Sequence, residues 1–120
     1  MLKNIRQLTT GILNIGVATL VTLDTNGDFT INNSYMEVAP FGGVGATDDS
    51  IRNINSGNEG DVIVLRAATT ATDTIDQITV TDTGNVVLAG AADFVMDSVN
   101  DTITLTYNGS SWLEVSRSGN

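Results

Sequence analysis

The chain has 120 residues, enough for one domain and one modest core; its content is 41% hydrophobic but only 5% aromatic, so that core is built from Val, Ile, Leu and Ala. Lys and Arg total 5 against 14 Asp and Glu, a formal charge of -9, which disfavours free nucleic acid and anionic membranes because phosphate binding needs clustered cations. Histidine and cysteine are both absent, which removes Ser-His-Asp, Cys-His and His-based zinc chemistry together, allows no disulfide framework and leaves the redox compartment open.

Residues 1–18 read as an N-terminal arm or as the first strand of the core. Leu2, Ile5, Leu8 and Ile12 are apolar, and Lys3 and Arg6 are cations on an otherwise acidic chain, so these six are the candidate contacts to a partner. Leu13 and Ile15 extend the apolar series. The cations followed by an apolar stretch raise a signal peptide, but Thr9, Thr10, Asn14, Gly16 and Thr19 interrupt the stretch and leave no clean apolar centre. A processed signal is not expected.

Residues 19–120 read as a single β-domain. Apolar residues fall at a spacing of two or in short runs bounded by Asn, Asp, Gly and Thr, the pattern of strands joined by tight turns, and no segment sustains a helical period. The pattern predicts strands at 17–23, 29–31, 35–38, 62–65, 78–81, 86–88, 94–96, 103–107 and 112–115. Thr79-Val80-Thr81 and Thr102-Ile-Thr-Leu-Thr106 alternate strictly, so one face is buried and the other wet.

Asn26-Gly27 and Asn108-Gly109 supply the positive φ angles of hairpin turns, because Gly has no Cβ and Asn tolerates the left-handed region. The same logic at Asp82-Thr-Gly-Asn85 predicts pairing of the strands on either side. Residues 39–49 hold the only proline and three glycines, and are expected to be a long loop separating an N-terminal section from the C-terminal body. Residues 67–74 form a second loop of small residues.

Asp48, Asp49, Asp73, Asp76, Asp93, Asp97 and Asp101 place carboxylates in loops, where a hard cation takes oxygen ligands, but no spacing matches a calcium loop. Turn capping and solubility are the expected roles, with no metal. Gly42-Gly-Val-Gly45 lacks the following Lys and helix of a phosphate loop, so it reads as backbone that bends. Paired carboxylates hydrolyse glycosides, yet no base or nucleophile has a recognisable partner and no catalytic residue is expected. Trp112 is read as the cross-strand partner of Tyr107 over Asn108-Gly-Ser-Ser111, in preference to an exposed sugar-stacking surface.

Three stretches carry a likeness to a known module: Ile51-Arg-Asn-Ile-Asn-Ser-Gly-Asn-Glu-Gly-Asp-Val-Ile-Val-Leu65, Gly84-Asn-Val-Val-Leu88, and Thr102-Ile-Thr-Leu-Thr-Tyr-Asn-Gly-Ser-Ser-Trp-Leu-Glu-Val-Ser-Arg117. In this order, across 48–120, they resemble a module that recurs in structural proteins of tailed bacteriophages. Proteins with this module resemble tail fibres, tailspikes and capsid decoration proteins, which implies a homotrimer and no cofactor. The first third matches no known pattern. A short N-terminal section without coiled-coil heptads fits a decoration or cement protein on the capsid surface, alone or as the base of a short head fibre. The implied partner is the major capsid protein, and the N-terminal section with Leu2, Lys3, Ile5, Arg6, Leu8 and Ile12 would contact the capsid or exchange between subunits. The alternative is a receptor-binding tail component whose loops at 39–49 or 67–74 touch a host glycan. An enzyme acting on surface polysaccharide is not expected.

The architecture that follows is all-β: a compact antiparallel β-sandwich or jelly-roll-like body with an N-terminal arm, trimeric about a three-fold axis. The even return of short apolar runs after Val62 also suits a small β-helix, the alternative architecture.

Overall fold

The structure is a computed structural model describing residues 13–120. It is all-β, a β-solenoid of about 3 turns, and the described residues hold no α-helix. The first coil carries β1 (Thr19–Thr22) and β2 (Asp28–Thr30); the second carries β3 (Tyr35–Ala39), β4 (Asp49–Ile51) and β5 (Asn53–Asn55). The third carries β6 (Val62–Ala67), β7 (Ile78–Val80) and β8 (Val86–Val87). A 3₁₀ turn at Ala89–Ala91 then leads to β9 (Phe94–Met96), β10 (Thr102–Tyr107) and β11 (Trp112–Ser118).

Like strands of successive coils stack in parallel: β1 on β3, β3 on β6, β2 on β5 and β4 on β7. The step between the second and third coils is the same on two faces. Glu37 meets Arg66, and Asp48 meets Gln77, each 29 residues along the chain. After the third coil the chain reverses. Strands β9 and β10 lie antiparallel on β7 and β6, and β11 returns antiparallel to β10 and closes on β8. The stacked rows face one core, in which Met36, Leu65 and Ile103 are adjacent in register, as are Ile51, Val80 and Phe94. Each fully buried aliphatic or aromatic side chain stabilises the fold by roughly 1.5–3 kcal/mol.

This is the small β-helix alternative; the antiparallel sandwich or jelly-roll is replaced by parallel coils with an antiparallel end. Alternation reports that one face of a strand is buried, not which strand lies beside it. Two predicted hairpins are therefore corners. At Asn26-Gly27, Asp24 Oδ1 accepts hydrogen bonds from the amides of Asn26 and Asp28 at 2.8 and 2.9 Å, and this Asx turn swings the chain into a different sheet. At 82–85, β7 pairs with β4 and β9, while β8 pairs with β11. Only Asn108-Gly109 joins an antiparallel pair, β10 and β11.

The loop at 39–49 does not separate two sections, because β1, β3 and β6 on either side of it share one sheet. Strands β4 and β5 went unpredicted; Asp49-Ser50-Ile51 and Asn53-Ile54-Asn55 each bury one aliphatic residue, too few to show a period.

Candidate functional site

The carboxylates singled out in the sequence fasten backbone. Asp48 Oδ1 accepts from the Gln77 amide, Asp49 Oδ2 from Phe41, Asp76 Oδ1 from Gly45 and Asp93 Oδ1 from Asp82, at 2.7–3.0 Å. Asp101 takes three amides, those of Asp97, Ser98 and Asn120, so it ties the end of the chain to the 97–101 turn. Burial pushes the Asp101 carboxyl up, but these hydrogen bonds together outweigh it and hold the group below its ordinary value. Asp73 is exposed, at φ 54. Among the described residues no three acidic side chains gather where they could hold a metal ion.

Asn85 continues a strand by its side chain. Its Oδ1 accepts from the Ile54 amide at 2.9 Å and its Nδ2 donates to the Ile54 carbonyl at 2.8 Å, while its own amide donates to Asn53 Oδ1. The side-chain amide thus supplies both the donor and the acceptor of a ladder rung. Trp112 is wholly buried and faces Tyr107 in the predicted cross-strand pair, ring centroids 4.9 Å apart, and its Nε1 donates to the same Ile54 carbonyl at 3.2 Å. That leaves no stacking surface for sugar on Trp112. A second staple is Arg117, which donates to both oxygens of Glu114 and to the carbonyls of Ala92 and Asp93, with its guanidinium 5.1 Å from the Phe94 ring centre. The Arg117 hydrogen bond holds the Glu114 carboxyl below its ordinary value against the opposing effect of burial.

The two loops read as candidate receptor loops form one lobe. Thr47 bridges Ile75, the Asp48 amide donates to Thr74 O, and the Asp76 amide donates to Ala46 O. Gly42, Gly43 and Gly45 all have φ above 90°, the bending backbone expected there. Phe41, Val44 and Ile75 stand exposed on this lobe.

No known protein-family model matches the chain. No curated protein sequence matches it either.

The candidate partner contacts Leu2, Lys3, Ile5, Arg6, Leu8 and Ile12 lie outside the described residues. From Leu13 the chain runs along the outer face of the six-stranded sheet, where Leu13, Ile15 and Gly16 border a shallow groove of about 310 Å³ with Tyr35, Val64 and Thr102. The outward positions of β1, β3, β6 and β10 are Leu20, Thr22, Tyr35, Glu37, Val62, Val64, Arg66 and the threonines 102, 104 and 106, judged from the alternating burial. Arg66 lies across from Glu37 at 2.6 Å. The sequence carries a signal for this face that alternation alone misses: Val62-Ile-Val-Leu65 is apolar at every position, not every second one.

Proposed function

We propose that this chain is a non-catalytic structural protein of a tailed-phage virion, a capsid decoration or cement protein that binds across neighbouring capsid subunits as a homotrimer. The similarity of 48–120 to a module of phage structural proteins supplies the class. The observation that carries the reading is the use of the acidic side chains: Asp48, Asp49, Asp76, Asp93 and Asp101 are engaged in fastening loops and corners to backbone amides. A cement protein acts by binding the assembled shell in preference to its parts, so mass action stabilises the shell and no chemistry is required. The contact lies in Leu2, Lys3, Ile5, Arg6, Leu8 and Ile12, with the major capsid protein as partner.

One observation favours a second reading, a receptor-binding tail component. The loops at 39–49 and 67–74 are laced into a single lobe that exposes Phe41, Val44 and Ile75, a surface on which a host glycan would stack. Image reconstruction of virions carrying a tagged chain separates the two. Density on the head lattice is expected, lost when residues 1–12 are removed; density at the tail selects the second reading, and absence from the particle overturns both.

A further inference from the structure

Strand β6 is apolar on both sides over its first four residues, Val62 to Leu65, before Arg66. Ile63, Leu65 and Ala67 point into the core, but Val62 and Val64 point away from it. A run apolar at every position is ordinarily covered on both faces. Among the described residues the outer face is open: Val62 is 50% exposed and Leu20, on β1, 51% exposed, with Tyr35 half-buried beside Val64 in register. Residues 13–16 border this face without covering it, since Leu13 is itself 59% exposed.

Charge identifies what covers it. On a chain of formal charge -9, the outward positions of β1, β3, β6 and β10 carry only Glu37 and Arg66, which neutralise each other in a 2.6 Å ion pair. Two copies of so acidic a molecule repel wherever their carboxylates approach, and a face without net charge is where contact costs least. A strongly charged partner would find nothing there to attract it. A second copy meets a surface like its own, without net charge and with Leu20, Tyr35, Val62 and Val64 set among threonines.

We propose that the outer face of the six-stranded sheet is the surface on which copies of this chain associate. This deepens the self-association part of the functional reading and is independent of whether the oligomer sits on a head or a tail.

The test is the mass of the intact chain by sedimentation equilibrium over a concentration series, for the wild type and for V62D and L20D. Neither side chain is part of the core, and each substitution sets like charges against one another across the contact. The wild type is expected to be oligomeric and both variants to fall to the mass of a single chain with unchanged far-ultraviolet circular dichroism. V95D, on the outward side of β9, where Val95 is 44% exposed, is expected to keep the wild-type mass. Hydroxyl-radical footprinting of the wild type needs no variant. Labelling of Tyr35, Val62 and Val64 should fall as concentration rises, with Val95 constant. A monomeric wild type at the highest soluble concentration, V62D and L20D of wild-type mass, or concentration-independent labelling would overturn the proposal. A stable oligomer that does not bind capsids would sink the capsid reading and leave this one standing.

Discussion

Replacing Gly84 with alanine tests how closely the coils are stacked. Gly84 has φ 59, and a Cβ there would lie 2.3 Å from both the Arg52 carbonyl oxygen and Asn53 Oδ1 in the coil beneath. An L-residue in the left-handed region costs about 1–2 kcal/mol. The overlap adds to that, because Arg52 O belongs to the backbone and can retreat only if the coils part; overpacking of this kind costs roughly 1–3 kcal/mol. Gly90 separates the two effects. Its φ of 65 is almost the same, but nothing lies within 4 Å of its Cβ position. We expect G84A to lose about 2–5 kcal/mol and G90A only the dihedral part, about 1–2 kcal/mol. Equilibrium urea unfolding followed by the fluorescence of Trp112, the single and wholly buried tryptophan, gives both values. Equal losses in the two variants would show that the coils separate freely at this corner, and the argument for close stacking would fail.

At the side-chain rung, N85D keeps the acceptor for the Ile54 amide but sets an oxygen against the Ile54 carbonyl; a loss of roughly 1–3 kcal/mol is expected in the same urea assay. W112F should cost about 1 kcal/mol for its hydrogen bond, held low because Asn85 Nδ2 still serves the Ile54 carbonyl, plus the cavity left by the smaller ring, and in total less than W112A, which should cost about 3–5 kcal/mol. Circular dichroism reads both, since the fluorophore is gone. For pH, Asp101 and Glu114 titrate below their ordinary values of 3.8 and 4.5 in the folded chain, so their contribution is complete above those values and is lost as pH falls through the folded ones. Thermal stability should hold down to about pH 5 and decline below it, and E114Q should flatten part of that decline; a decline beginning near neutrality would contradict the assignment.

The strands were legible because alternation is a local property. Phe94–Met96 was delimited as observed, and Thr102–Tyr107 and Trp112–Ser118 were found within a few residues. The pairing was legible only at the last hairpin, β10 with β11. Asn26-Gly27 and Asn108-Gly109 look alike in sequence, yet Asp24 makes a corner of the first, while Tyr107 and Trp112 flank the second and hold it as a hairpin. Choosing between them requires knowing that Gly27 sits against Ser50 O of the next coil, with 2.4 Å to its Cβ position, a contact between residues far apart in the chain. The loop carboxylates were recognisable as turn chemistry, but their acceptor roles at Gly45 and Gln77 depend on the coil repeat and could not be read residue by residue. The reach of Arg117 to Ala92 and Asp93 offered no signal, because those targets are bare carbonyls.

The change of direction after β8 makes the two ends of the solenoid unequal. Parallel coils are self-templating, and a stack of them with a free last rung invites another molecule to continue the ladder, as in a growing fibril. Here β9 and β10 lay strands of opposite polarity over β7 and β6, so a further coil arriving at that end would find no parallel rung to copy on those two faces. Lengthening this body by duplicating coils is therefore blocked at this end, and a version with more turns should carry its additional repeats ahead of Thr19.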